Sequence, residues 1–454
     1  MFNLSFVRGV RLLTIASLAT IVRRVVPAWM LSVGGSVVIS SAARAIGLAN
    51  AVLLARLLKP ADYGVYSYSL TLASALAVPA QFGIPTVVTR EVAAGYGVKR
   101  WDLALGSIKW AYRGISAISA FVLAIASAAL MLRSSALSEM QLWTLAIAMP
   151  LVPLLALDEL RISVLAGLQR IVLSRPAGEV FRALFVLLGL LLITAADSAL
   201  SFSATDAMVL TVAAAGSALV FGTVVLLRVR PVELTRANAT YSVRDWNRSA
   251  LPIALTTGIG FLNQSVAFLI LGAFVASTDV GLYRVATLGA GMIITVLGTV
   301  NTALAPYFAV HAARGDSEML QRFTTRSART ALLAALPLIM LYALAGKFFI
   351  QTLFGREYSS AYWPLVIISF GQLFTASTGS IGTILYMSNH ERDATIGAAA
   401  GACVNIALSL VLVPGFGIDG AAYATTASEV VWGAVWAWYV WKRLAIIPGP
   451  FFRR

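Results

Sequence analysis

Apolar residues in this chain come in long unbroken runs, and polar residues fall in short breaks between them. A bilayer core takes about 20 apolar residues per helix. On that rule twelve spans are expected, at about 28–55, 66–88, 110–132, 142–166, 178–196, 205–227, 250–275, 283–308, 328–346, 360–387, 395–414 and 418–441. The runs are continuous where a barrel strand would alternate, so each span is expected as a helix. The breaks are short, so no soluble domain is expected.

Composition points the same way. Of 454 residues, 59% are hydrophobic and 12% charged, with mean hydropathy +0.85. A soluble chain of this length cannot hide that much apolar side chain, which leaves a polytopic membrane protein. The net charge of +15 would suggest nucleic acid in a soluble protein. Here the cations sit in the breaks, and no nucleic-acid partner is expected. Of 34 Lys and Arg, 26 fall on one side of the membrane, counting the N-terminus, the breaks after the even spans and the C-terminus. Six, Arg284 among them, fall in the breaks after odd spans, and Arg44 and Arg161 lie within spans. That bias predicts cytoplasmic termini. Trp432, Trp436, Trp438, Tyr439 and Trp441 run into Lys442 and Arg443, which is the pattern of an interfacial aromatic belt with a basic anchor. Near the N-terminus, Leu12–Val22 has the length of a signal-peptide core. Arg23 and Arg24 follow it without a small-x-small site, and an amphipathic segment on the inner face is expected instead. The single cysteine, Cys403, excludes a disulfide framework, and the widely separated His311 and His390 do not form a metal site. No metal and no cofactor is expected.

One polar phrase occurs twice. KPADYGVYSYS (59–69) and ASTDVGLYRVA (276–286) share Asp-x-Gly-x-Tyr: Asp62, Gly64 and Tyr66, then Asp279, Gly281 and Tyr283, with an offset of 217. The match continues at the ends of spans 2 and 8, where Pro85 pairs with Pro306 and Ala93-Ala94 with Ala312-Ala313. An offset of six spans makes a parallel repeat, related by an axis along the membrane normal. The expected architecture is therefore all-α: about twelve transmembrane helices in two pseudo-symmetric six-helix lobes around a central cavity. The expected boundaries are a cytoplasmic amphipathic segment (1–27), an N-lobe (28–228), a basic connector (229–248), a C-lobe (249–443) and a cytoplasmic tail (444–454). In each copy the Asp is expected as an N-cap, the Gly as a point of tight passage and the Tyr at the membrane interface.

Leu54–Gly95, LARLLKPADYGVYSYSLTLASALAVPAQFGIPTVVTREVAAG, resembles the span 1–2 region of Wzx-type polysaccharide flippases. These belong to the multidrug/oligosaccharidyl-lipid/polysaccharide (MOP) exporter superfamily. RPAGEVFRALFVLLGLLL (175–192) and VPGFGIDGAAYATTASEV (413–430) are similar to that family at spans 5 and 12. The resemblance implies alternating access in a bacterial cytoplasmic (inner) membrane. It also implies a cargo, undecaprenyl-diphosphate-linked oligosaccharide, with a polysaccharide polymerase or glycosyltransferases as partners.

Several residues are candidates for chemistry. Arg44 stands in mid-span 1, where a charge costs about 2.5–3.5 kcal/mol even on the lenient insertion scale. It either pairs between helices or faces the cavity, where its planar fork suits a diphosphate or an acidic sugar. Asn50 lies nearly two turns further along. Arg113 and Arg182, near the starts of spans 3 and 5, are candidates for the same anion, and interfacial anchoring explains them equally well. Glu429, in mid-span 12, either couples transport to a proton or sodium gradient or pairs within its lobe. Asp158 and Glu159 are further candidates for ion coupling, although Asp158 and Arg161 are spaced to neutralise each other along one helix face. Asn263, Gln264, Asn301, Gln372 and Asn405 give the C-lobe a polar, uncharged set that either faces sugars or joins helices.

No catalytic constellation and no Walker A sequence is present. The expected activity is transport: flipping of a lipid-linked oligosaccharide. The alternatives are another MOP-type exporter, either a peptidoglycan-precursor flippase or a drug/cation antiporter, and a membrane-embedded glycan polymerase. The last typically needs an outer loop larger than any break here.

Overall fold

The computed structural model describes residues 28–195 and 202–451. The expected segment 1–27 lies outside the described residues. These are helical nearly throughout, with no strand among them. The N-terminal half comprises α1 (Ala28–Leu57), α2 (Pro60–Gln81), α3 (Ile84–Gly97), α4 (Trp101–Arg133), α5 (Glu139–Ala148), α6 (Leu151–Gly167), α7 (Arg182–Ala195) and α8 (Ala204–Val229). The C-terminal half comprises α9 (Val243–Phe274), α10 (Ser277–Ala313), α11 (Ser317–Leu353), α12 (Tyr362–Thr378), α13 (Ile381–Met387) and α14 (Glu391–Leu444). Eight helical stretches, together with the bent pairs α2–α3 and Arg356–Met387, are long and apolar enough to cross a membrane. α14, 54 residues long, breaks at Gly417 (φ 55°, ψ −128°) and so holds the last two expected spans. The protein is a polytopic all-α membrane protein.

Local chemistry explains the breaks. α2 begins with Pro60, whose missing N–H is no loss in a first turn. Phe82 (φ 47°) and Gly83 (φ 68°) are left-handed and turn α2 into α3 by 49°. The Ala250 carbonyl oxygen would lie 2.5 Å from any Cβ on Gly83, so the bend is also a helix crossing. α5 starts with a capping box, in which Ser138 and Gln141 satisfy each other's backbone N–H.

Two expectations need correction here. α9 starts at Val243, so Arg244 and Arg248 stand on a helix, not in the connector loop. The connector is also docked: the Thr240 N–H donates to the Asp102 carbonyl (3.1 Å), and Trp246 packs against Trp110 with centroids 5.3 Å apart. Asp62 and Asp279 are not N-caps. The caps are Lys59 and Ala276, and both carboxylates lie in the first turn, where they complement the positive end of the helix dipole.

The buried core runs through both halves. Small residues (Ala73, Ala80, Ala104, Ala111, Ala156, Ala214) line the crossings in the first half. This is how helices associate in lipid, where apolar burial alone gives no drive.

Candidate functional site

The site begins with the duplicated phrase. α2 and α10 cross at Gly64 and Gly281. A Cβ on Gly64 would lie 1.8 Å from the Ser277 carbonyl oxygen, and one on Gly281 2.1 Å from that of Pro60. The two copies of the motif are therefore packed against each other across the lobes. Other bonds reinforce this seam. Arg56 Nε donates to the Leu353 carbonyl (2.7 Å), the Tyr358 hydroxyl to that of Ala55 (2.9 Å), and Gln141 Nε2 to Ser277 Oγ (3.1 Å). Tyr66 and Tyr283 are 6% and 1% exposed, which overturns their expected place at the membrane interface. Their hydroxyls instead pair with Thr211 (3.0 Å) and Thr425 (2.9 Å), the same bond in each lobe.

Behind the seam lie two cavities. The first, about 630 Å³, is bounded by α1, α2, α6, α7 and α8, with α9 and α10 on its far wall. Arg44, Arg175, Arg182 and Arg284 line it against one carboxylate, Glu179. Arg175 pairs with Glu179 at 2.6 Å. Arg44, Arg182 and Arg284 make no salt bridge with a described residue. Tyr63 and Tyr66 close this cavity at the seam. Asn50 also lines it, donating through Nδ2 to the Ala183 carbonyl (2.8 Å), while its buried Oδ1 has no hydrogen-bond partner among the described residues.

The second cavity, about 510 Å³, lies between α9, α10, α12, α13 and α14. Its lining mixes apolar side chains with neutral polar ones, including Gln264, Asn301, Thr287, Thr375 and Ser380. Glu429 is its one carboxylate, and Gln372 Nε2 donates to Glu429 Oε1. Arg284 and Leu288 line both cavities, so α10 is their shared wall. The Arg284 guanidinium lies 5.8 Å from the Phe268 ring centroid, a cation–π distance that fixes it at the junction.

A family profile described as "Polysaccharide biosynthesis protein" matches residues 53–362, more than half of the chain. The chain belongs to this family. Two curated relatives are each 22% identical to it. One is the "Probable low-salt glycan biosynthesis flippase Agl15" of Haloferax volcanii, matched over 41% of this chain and 39% of that protein. The other is the "Capsular polysaccharide biosynthesis protein CapF" of Staphylococcus aureus, matched over 43% and 49%. The matches thus span less than half the length of these relatives. Among solved structures, an inward-facing multidrug resistance MATE family transporter of the MOP superfamily superposes with TM-score 0.71 at 14% identity, covering 88% of this chain and 94% of that one. The lipid II flippase MurJ, in an inward closed conformation, superposes with TM-score 0.65 at 14% identity, covering 89% and 87%. The fold of this polysaccharide biosynthesis protein is that of the MOP transporters: two pseudo-symmetric six-helix lobes around a central cavity.

Within this family member, the structure sorts the expected residues. Arg44, Asn50 and Arg182 come together in the first cavity, and Asn263, Gln264, Asn301, Gln372 and Glu429 in the second. Arg113 does not join them. It is exposed on α4, about 160–200° around the helix from the packed Ala111 and Ile115. Asp158 is committed to Arg161, whose Nε and Nη2 both lie 2.8 Å from its Oδ1. Glu159 is half-buried on the same helix and does not line either cavity. Asn405 is 1% exposed, donates to the Asn263 backbone carbonyl (3.2 Å) and so joins α14 to α9, and it lines neither cavity.

Arg175 and Arg284 are the residues that span counting missed. Arg284 counted as a loop charge because it follows the turn phrase, yet α10 already begins at Ser277. The repeat held the clue. At the same offset of 217, Arg284 corresponds to Ser67, which also lines the first cavity. The aromatic belt also divides. Trp438 and Trp441 are exposed, and Lys442 Nζ sits 4.5 Å from the Trp438 ring centroid. Trp432 and Trp436 turn inward and line the second cavity.

Proposed function

We propose that this protein is a flippase that carries a polyprenyl-diphosphate-linked oligosaccharide across a bacterial cytoplasmic membrane by alternating access. The cargo lipid of this reading is undecaprenyl diphosphate. The observation that carries the proposal is the charge of the first cavity: four arginines against one glutamate, with three of the four free of described carboxylates. Arginine forks donate paired hydrogen bonds to phosphate oxygens, and a low-dielectric wall strengthens each. A cavity built for cationic drugs would carry the opposite sign. Family membership and the names of the two relatives support a glycan cargo.

On this reading the duplicated phrase lies on the outer face and both termini in the cytoplasm, which the cationic bias of the breaks supports. With that orientation the sealed seam is an outer gate, and the state seen here loads cargo from the inner leaflet. Glu429, half-buried beside Gln372, is then the group that couples the cycle to a proton or sodium gradient. Glycosyltransferases deliver the cargo and a polymerase receives it.

The test is leaflet translocation in proteoliposomes loaded with undecaprenyl-diphosphate-linked oligosaccharide. Arg284→Ala is expected to slow translocation about tenfold or more, the equivalent of about 1.4 kcal/mol in the carried state. Full activity in Arg44→Ala, Arg182→Ala and Arg284→Ala together would refute the anionic-cargo reading. A pH dependence of transport unchanged in Glu429→Gln would remove Glu429 from coupling.

A further inference from the structure

The second cavity carries two tryptophans that the diphosphate reading leaves unused. Trp432 and Trp436 are spaced i, i+4 on α14, so they share one face. Their rings stack, with centroids 4.8 Å apart and planes 27° from parallel. Both are half-buried and both line the cavity. The Trp436 ring is held in place. Its Nε1 donates to the Ala394 carbonyl (2.8 Å), and it lies against Gly382 and Gly397, where a Cβ would come within 2.6 and 2.3 Å of the indole. Two glycines and a satisfied N–H fix the platform in one pose, which spares a ligand the cost of ordering it.

Most polar side chains that share this cavity are neutral, with Arg284 and Glu429 the two charged ones. Gln264 and Asn301 each offer both a donor and an acceptor. The Ser380 hydroxyl, in a residue 2% exposed, has no hydrogen-bond partner among the described residues. The Glu429 carboxylate is turned toward α12: Oε1 accepts from Gln372, and Oε2 lies where a Cβ on Gly371 would meet it, without a hydrogen-bond partner among the described residues. An aromatic wall in a cavity that also carries uncharged donors and acceptors is complementary to a pyranose, which has an apolar C–H face and a rim of hydroxyls. The volume of about 510 Å³ falls in the usual range for a ligand pocket, about 300–1,000 Å³.

We propose that Trp432 and Trp436 form a stacking platform that binds a neutral pyranose ring of the saccharide cargo. The proposal rests on the flippase reading and assigns the two parts of one cargo to two cavities: diphosphate to the arginines of the first, sugar to the tryptophans of the second. Arg284, on the shared wall, marks where one part meets the other.

The test uses the full chain in nanodiscs with two kinds of probe. One is bare undecaprenyl diphosphate. The other is the same lipid carrying a single glucose, galactose or N-acetylglucosamine. At least one sugar-bearing lipid is expected to bind about tenfold tighter than the bare lipid, in line with about 0.5–1.5 kcal/mol for an aromatic contact beyond its area. Trp432→Leu, which keeps apolar bulk but removes the ring face, is expected to abolish that increment and leave bare-lipid binding unchanged. The unchanged term also shows that the variant is folded. Trp436→Phe, which keeps a ring, is expected to retain most of the increment. An increment that survives Trp432→Leu overturns the platform and leaves the diphosphate reading intact. Failure of wild-type protein to bind bare lipid overturns the diphosphate reading and the platform with it. Binding of a flat aromatic cation such as rhodamine 6G, lost in Trp432→Leu while no sugar increment exists, also overturns the platform.

Discussion

Arg161 shows how a charge inside a span can be purely architectural. Its side chain is fully buried, bonded to Asp158 and to the Ser174 carbonyl (3.1 Å), and Gly222 leaves room for it. A Cβ on Gly222 would lie 2.5 Å from the guanidinium carbon. Breaking such a pair strands a buried charge, at about 3–5 kcal/mol. Arg161→Leu is therefore expected to lose about that much stability, read as a lower unfolding temperature in detergent. The double variant Asp158→Asn, Arg161→Leu is expected to recover much of it. A stable Arg161→Leu single variant would mean that the pair is solvated. The mirrored tyrosine bonds call for a smaller effect. Tyr66→Phe and Tyr283→Phe should each cost about 0.6 kcal/mol, the mean for polar contacts between membrane helices, and at most ~1.7.

At the scale of elements, the crossing of α2 and α10 explains why the polar phrase is duplicated. Glycine is required at both positions by the opposing backbone, not by a left-handed turn: both lie inside regular helix. Gly281→Leu must push the helices apart. In a Cys403→Ser background, a cysteine at Ser67, 2% exposed, is expected to resist an impermeant maleimide added from the seam side. The same cysteine is expected to react once Gly281→Leu is added. Equal protection in both would show that this crossing does not seal the cavity. The spans, the repeat and the two lobes were legible in the sequence because apolar run length and an exact offset are one-dimensional signals. Which face of each helix meets the cavity was not. Arg113 and Arg182 look alike in a charge count, and only packing separates them: one points away from Ala111 and Ile115, and the other lines the cavity. Trp432 and Trp438 differ in the same way, lying on different faces of one helix.

For the whole molecule, alternating access requires that the seam be broken in one state and made in the other. Beside the Gly64–Gly281 crossing and the Tyr63–Tyr358 ring contact, the polar contacts across it are local. They comprise the Gln141–Ser277 bond and the donations from Arg56 and Tyr358 to backbone carbonyls at the ends of α1 and α11. At the opposite end the lobes also touch, at Trp110–Trp246 and where Arg90 Nη2 donates to Ser249 Oγ (3.3 Å). α9 is thus a candidate pivot, because it meets the first lobe beside the docked connector. A covalent tie at the seam separates binding from transport. With Cys403→Ser as background, Gln141→Cys and Ser277→Cys replace a hydrogen-bonded pair, and a short bifunctional thiol reagent can join them. The joined protein is expected to bind lipid-linked saccharide as well as wild type, since the cavities lie behind the seam, and to translocate none. A reducible linker, once cleaved, should restore translocation. Undiminished transport by the joined protein would show that the lobes do not part at this end, and the cargo path would then have to leave the cavities sideways into the bilayer.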